Sequence, residues 1–137
     1  MRVLVIEDNA ELRNYLRVAL EALDFKVLTA ENGVVAVKYA LDHKIDVALI
    51  DLFMPEMDGI ETIAELRKRF PDISVIAMSG RPGDLYLNVA RELGARKLLH
   101  KPFAINELIA ALRDLGPLPS QGAPARSPPG SGGDRSA

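Results

Sequence analysis

The stretch VLVIEDNAELR, residues 3–13, decides the fold prediction. Its first four residues are aliphatic, three of them β-branched, and they predict a buried strand. Two acids, Glu7 and Asp8, follow the strand directly, and leucines at helical spacing begin a few residues later, with Asn9 as the expected N-cap. A strand that runs through acids into a helix is typical of a parallel sheet whose strands are joined by helices.

The same alternation of strand and helix continues to about residue 116. Apolar, β-rich segments at 2–6, 26–30, 46–50, 73–79 and 97–100 predict five strands. Helical periodicity follows each strand. The later helices are expected at 34–41, 59–70, 84–93 and 106–115, with Leu23 on the buried face of the first helix and Val89 on that of the fourth. The fold class is therefore α/β: a doubly wound, five-stranded parallel sheet with helices on both faces.

Composition favours one small globular domain. The chain has 137 residues, of which 48% are hydrophobic and 5% aromatic, enough for one aliphatic core over residues 1–116. Residues 117–137 are rich in proline, glycine and serine and are expected to form a disordered tail. The formal charge of −2 gives no basic surface for nucleic acid or membrane, so neither is expected as a partner. The chain has no cysteine and no apolar run of about 18 residues, and the expected location is the cytoplasm.

Chemically active side chains stand at the ends of four predicted strands. Glu7 and Asp8 follow the first strand, Asp51 follows the third, Ser79 ends the fourth and Lys101 follows the fifth. The carboxyl ends of parallel strands meet at one edge of the sheet, where ligands bind in folds of this class. Three acids at one edge repel each other unless a cation lies among them, and oxygen ligands without histidine or cysteine favour Mg²⁺. An acid, a metal, an ammonium and a hydroxyl together suit phosphoryl transfer, with Asp51 as the nucleophile.

This set of residues, with Asp51 in DLFMPEMDG, SG at 79–80 and KP at 101–102, resembles the receiver domain of two-component response regulators over about residues 1–116. The resemblance is to a stand-alone regulator of the chemotaxis type. It implies that the strands lie in the order 2-1-3-4-5. It also implies that Asp51 accepts a phosphoryl group from a histidine kinase or a histidine phosphotransfer protein in a Mg²⁺-dependent reaction.

The resemblance also implies a role for each remaining site residue. Asp8 is implied as a direct Mg²⁺ ligand, Glu7 as a ligand through water, and Phe53 as a ligand through its backbone carbonyl. Lys101 and the Ser79 hydroxyl are implied as catalytic partners of the phosphoryl oxygens. The chain is then not an enzyme acting on another substrate but a switch that catalyses its own phosphorylation and dephosphorylation. It would signal to a downstream protein, as a monomer or as a phosphorylation-dependent homodimer.

The fifth predicted strand departs from the family pattern. Leu98 stands three residues before Lys101, where the family usually has a tyrosine or phenylalanine that rotates inward on activation. We therefore expect the loop 80–84 and the first turn of the fourth helix to carry most of the signal. By strand alternation His100 faces away from Lys101, and it is expected to be packed in the core. Pro102 occupies a position where the family commonly has a cis peptide bond.

Three alternatives stay open on the sequence. A Mg²⁺-dependent phosphatase or phosphotransferase acting on small substrates would also form an aspartyl-phosphate, but such enzymes typically have a second aspartate where this chain has Phe53. A dinucleotide-binding enzyme on a similar sheet would show a glycine-rich turn after the first strand, and EDNAEL contains no glycine. The chain would also fit the receiver end of a longer regulator with a DNA-binding or enzymatic output domain.

Overall fold

The computed structural model of the protein describes residues 1–54, 59–80 and 85–115. Within these ranges five strands alternate with five helices: β1 Arg2–Ile6, α1 Ala10–Glu21, β2 Lys26–Ala30, α2 Gly33–Asp42, β3 Val47–Asp51, α3 Gly59–Arg69, β4 Ser74–Ser79, α4 Leu85–Glu92, β5 Lys97–His100 and α5 Ile105–Asp114. The strands form a parallel sheet in the order β2-β1-β3-β4-β5, which confirms the predicted fold class and strand order. The predicted tail, 117–137, lies outside the described residues. No helix in the described ranges is long and apolar enough to cross a membrane.

Alternate strand residues face two helical layers. One set packs with α1 and α5, and it includes Val3, Val5, Val47, Leu49, Ile76, Met78 and Leu99. The other set packs with α2, α3 and α4, and it includes Leu4, Ile6, Ala30, Ala48, Ile50, Val75 and Ala77. Because β1, β3 and β4 are buried on both faces, their sequences are near-continuous apolar runs. Each fully buried aliphatic side chain of valine size or larger contributes about 1.5–3 kcal/mol to the free energy of unfolding.

The register of the parallel strands brings their carboxyl ends to one edge of the sheet. The last residue of β1 pairs with Ile50, so Glu7 follows β1 at the level of Asp51. Ser79 at the end of β4 pairs with His100 at the end of β5. The residues that end or follow these four strands therefore emerge as neighbours, and the candidate site lies among them.

Hydrogen bonds and backbone conformation explain where several helices begin and stop. Asn9 is the N-cap of α1, as predicted, because its side-chain oxygen accepts a hydrogen bond from the Leu12 N–H at 2.9 Å. Ala104 has no side chain that can cap α5, and the Glu107 carboxylate instead accepts a hydrogen bond from the Ala104 N–H at 3.0 Å. After α4 the chain turns at Gly94, whose φ of +111° is strained for any residue with a side chain.

Three side chains lie elsewhere than predicted. α1 ends before Leu23, which falls in the following turn and is 50% exposed. In α4 the buried residues include Leu87 and Ala90, and Val89 faces solvent. His100 is exposed rather than packed in the core, because it is the last residue of an edge strand and follows the buried Leu99. Periodicity thus predicted the helices, whereas the rotation of α4 depends on its packing against β4 and β5.

Candidate functional site

Three carboxylates meet at the edge of the sheet where β1 and β3 end. Glu7, Asp8 and Asp51 each place a carboxylate oxygen within 4.8 Å of the other two. Glu7 is 1% exposed and Asp51 is 4% exposed, whereas Asp8 lies at the surface. The structure thus brings together the three acids that the sequence predicted at adjacent strand ends, two of them inside the fold and one facing solvent.

The ammonium group of Lys101 lies between the two buried acids. Its Nζ is 2.7 Å from Oε1 of Glu7 and 3.3 Å from Oδ2 of Asp51. The Lys101 backbone N–H donates to the carbonyl oxygen of Ser79 at 2.8 Å, which ties the chain after β5 to the end of β4. Ser79 itself is buried at the same edge. Four chain segments therefore meet at this edge: three of them supply the acids and the ammonium of the cluster, and the fourth ends at the buried Ser79.

The loop after β3 is held close to the cluster. The Phe53 N–H donates to Oδ1 of Asp51 at 3.2 Å, so this carboxylate is oriented by its own loop as well as by Lys101. α3 then begins at Gly59, where an added Cβ would collide with the Asp51 carbonyl oxygen and the Leu52 Cα atom. Only glycine fits this approach, and the start of α3 therefore packs directly on the end of β3.

The loop between β1 and α1 carries contacts that sequence reasoning missed. The Asn9 N–H donates to Oε2 of Glu7 at 3.1 Å. The guanidinium group of Arg13 donates through Nη1 to the Glu7 carbonyl oxygen at 2.8 Å and to the Asp8 carbonyl oxygen at 3.4 Å. The sequence position of Arg13 could have indicated these contacts, because Arg13 lies five residues after Asp8, in the first turn of the helix that the acids precede.

Burial and charge set the protonation of the cluster. Burial of the carboxyl group raises the pKa of Glu7 from its ordinary 4.5 to about 7, against the hydrogen bonds from Lys101 and Asn9. Burial by itself would lower the pKa of Lys101, but its hydrogen bond with Glu7 and the charge of Asp51 outweigh burial and raise it. The lysine therefore stays charged at neutral pH, whereas Glu7 is poised to titrate there.

The donor set fits a hard divalent cation. The three side chains of the cluster offer carboxylate oxygens alone, which Mg²⁺ prefers and which suit zinc or copper less well. Ionisation of the desolvated Glu7 is unfavourable in the buried cluster, and a divalent cation would relieve that cost. The site is thus compatible with the predicted use of Mg²⁺.

The remaining predicted features lie around this cluster. The Lys101–Pro102 peptide bond is cis, as the resemblance implied. Leu98 is partly buried and packs in the layer of α2, α3 and α4. Of the loop expected to carry the signal, residues 81–84 lie outside the described residues.

A doubly wound sheet in this strand order, with an acidic cluster and a lysine at its carboxyl edge, defines the class of receiver-type signalling domains. The chain belongs to the response regulator receiver domain family, whose model matches residues 3–113. It is a receiver domain of two-component response regulators and hence a signalling switch. This membership favours the signalling interpretation over the two enzyme alternatives.

Individual relatives agree with this assignment. The chain is 31% identical over 115 residues to response regulator MprA of Mycobacterium sp. (strain KMS), which covers 84% of this chain and 50% of MprA. The receiver domain of the Francisella response regulator 1452 matches with a TM-score of 0.77 and 29% identity, over 83% of this chain and 94% of that one. Response regulator TrrA of Thermotoga maritima, solved in complex with Mg²⁺-BeF, matches with a TM-score of 0.75 and 27% identity, over 83% and 97%. The chain spans about half the length of the curated relatives it matches.

Proposed function

We propose that this chain accepts a phosphoryl group on Asp51 from a histidine kinase or a histidine phosphotransfer protein, in a Mg²⁺-dependent reaction. The observation that carries the proposal is the setting of Asp51. Its carboxylate is buried beside two other acids, with the Lys101 ammonium 3.3 Å from Oδ2. A structural salt bridge would need one acid for one lysine, whereas this cluster brings three acids together at the ligand-binding edge of the sheet and only two of them contact Lys101.

The chemistry of the step follows from the groups present. An oxygen of Asp51 attacks the phosphorus atom, a new O–P bond forms, and the P–N bond to the donor imidazole breaks with its electron pair leaving on nitrogen. Lys101 already contacts the Asp51 carboxylate, so its charge can follow the oxygens that arrive with the phosphoryl group. The Ser79 hydroxyl would donate a hydrogen bond to one of those oxygens. Attack of water on the phosphorus later releases phosphate and regenerates the carboxylate.

Four residues would hold Mg²⁺: Glu7 through water, Asp8 and Asp51 directly, and Phe53 through its carbonyl oxygen. When bound, the ion would neutralise the phosphoryl oxygens and relieve repulsion among the acids. The chemical nature of the acidic cluster supports this assignment, as does the likeness to TrrA, a response regulator solved with Mg²⁺-BeF. The chain's own contribution is to fix Glu7 and Asp51 beforehand, through the hydrogen bonds that Lys101 and the neighbouring backbone N–H groups donate to their carboxylates.

The test is mass spectrometry of the intact protein after incubation with Mg²⁺ and acetyl phosphate. The wild type should gain one phosphoryl group that hydroxylamine removes, and Asp51→Asn should gain none. Asp46→Asn is the matched control, because Asp46 is also a buried acid but accepts its hydrogen bond from the Arg2 N–H at the opposite end of the sheet. Phosphate on Asp51→Asn, or none on the wild type, would refute the proposal.

The output of the switch is proposed to be contact with a downstream protein. We propose that residues 1–116 form the signalling unit, located in the cytoplasm, and that it acts as a monomer or as a phosphorylation-dependent homodimer. Light scattering of the protein with and without Mg²⁺ and beryllofluoride distinguishes the two states, since a homodimer doubles the mass only in the presence of the phosphoryl mimic.

A further inference from the structure

The side chain of Arg13 connects α1 to the loop that carries two of the candidate metal ligands. Its Nη1 atom is 2.8 Å from the Glu7 carbonyl oxygen and 3.4 Å from that of Asp8. The Arg13 backbone N–H donates to the Asn9 carbonyl oxygen at 2.9 Å, inside the first turn of α1. The guanidinium group therefore connects α1 to the backbone of Glu7 and Asp8.

Glu7 is fixed at every polar group it has. Its N–H donates to the Ala30 carbonyl oxygen at 3.0 Å, and its two carboxylate oxygens accept from Lys101 and from the Asn9 N–H. Arg13 takes the remaining group, the carbonyl oxygen. Asp8 comes next along the chain and its side chain is exposed, so the direction of its carboxylate depends on the backbone that Arg13 holds.

We propose that Arg13 is a positioning residue for Mg²⁺ binding: it holds the backbone from which Glu7 and Asp8 present their carboxylates to the ion. This inference rests on the proposed function. It predicts a change in Mg²⁺ affinity opposite in sign to the change that electrostatics predicts when Arg13 is replaced. Arg13 is a positive charge near a cation site, so charge alone predicts tighter Mg²⁺ binding when the charge is removed. Positioning predicts weaker binding, because the two acids lose their common orientation.

The experiment is a Mg²⁺ titration of the unphosphorylated protein, followed by amide chemical shifts, for the wild type, Arg13→Met, Arg13→Lys and Arg17→Met. Removing a group that orients a metal ligand weakens binding by on the order of tenfold, and we expect this for Arg13→Met. Arg13→Lys keeps the charge and a single donor nitrogen in place of the guanidinium group, and its Mg²⁺ affinity should lie between that of Arg13→Met and that of the wild type. Arg17→Met should equal the wild type, because Arg17 lies one turn further along α1 and pairs with Asn14 and Glu21, each at 2.7 Å.

A second readout separates positioning from a general loss of stability. At saturating Mg²⁺ the rate of phosphorylation of Arg13→Met by acetyl phosphate should return to the wild-type rate, because the catalytic groups are untouched. Binding by Arg13→Met that is unchanged or tighter overturns the inference. If Arg13→Met does not fold, Arg13→Lys decides, and wild-type affinity in that variant overturns it. Failure of the wild type to bind Mg²⁺ would instead refute the proposed metal site.

Discussion

Glu7 should make the metal-free domain less stable as the pH rises. Burial raises the pKa of this carboxyl group from 4.5 to about 7, so between these values the folded state holds a proton that the unfolded chain has released. The folded state then binds more protons than the unfolded state, and the free energy of unfolding falls with increasing pH. The contribution of the protonated group is fully present below pH 4.5 and is lost as the pH rises through about 7.

The size of the effect follows from the same two values. The difference between 4.5 and about 7, at about 1.4 kcal/mol per pH unit, gives an upper limit of about 3–4 kcal/mol for the whole contribution. Glu7→Gln keeps the shape of the side chain but carries no titrating group. Its free energy of unfolding, relative to the wild type, should therefore increase by up to about 3 kcal/mol between pH 4.5 and pH 8.

The assay is urea denaturation in EDTA at a series of pH values, with Glu11→Gln as the control because Glu11 is exposed in the first turn of α1. Glu11→Gln should show no such increase in the free energy of unfolding, relative to the wild type, as the pH rises. Saturating Mg²⁺ should remove the decrease in the wild type's free energy of unfolding as the pH rises, because the ion binds the native state and favours the ionised carboxylate. A difference between Glu7→Gln and the wild type that stays constant with pH would show that burial does not hold a proton on Glu7.

Two further substitutions test the arrangement around the cluster. Lys101→Met leaves Glu7 and Asp51 without their shared cation, and urea denaturation should show a loss of about 3 kcal/mol in the free energy of unfolding at pH 8. This loss should shrink at pH 5 as Glu7 protonates, and an equal loss at both pH values would contradict the shared ion pair. Gly59→Ala should lower stability by about 1–3 kcal/mol in thermal unfolding, because its Cβ meets backbone. Gly80→Ala should leave the stability nearly unchanged, since the nearest atom to its added Cβ would be a Lys101 side-chain atom at 3.6 Å. Equal effects of the two alanine substitutions would contradict the close packing of the start of α3 on the end of β3.

The strands and the gathering of the acids were predictable because both depend on short-range pattern. A central parallel strand is apolar along its whole length, and its polar end residue is therefore conspicuous: Asp51 interrupts a buried run, as do Glu7 and Asp8. Parallel topology then places these ends together without any knowledge of side-chain packing. The exposure of Val89 was not predictable in this way, because the rotation of α4 is set by the surfaces of β4 and β5.

The contacts among the site residues were harder to predict than which residues form the site. The sequence indicated that Lys101 lies near Asp51, but its shorter contact is with Glu7, at 2.7 Å against 3.3 Å. Arg13 was missed because its contacts are to carbonyl oxygens, and a backbone acceptor leaves no trace in residue type. Patterns of residue type report which side chains share an edge, whereas distances within the edge depend on loop geometry.

The charges of the cluster give a physical reason for the proposed dependence on a divalent ion. With Glu7 ionised, three carboxylates and one ammonium carry a formal charge of −2 in a largely buried site. A phosphoryl group that arrives there brings more negative charge, and Lys101 alone cannot compensate for it. A single divalent cation neutralises the cluster, whereas a monovalent cation leaves it negative. Under the proposed function, phosphorylation of Asp51 should therefore require Mg²⁺ or a similar divalent ion at every pH where Glu7 is ionised, and K⁺ at equal ionic strength should not replace it.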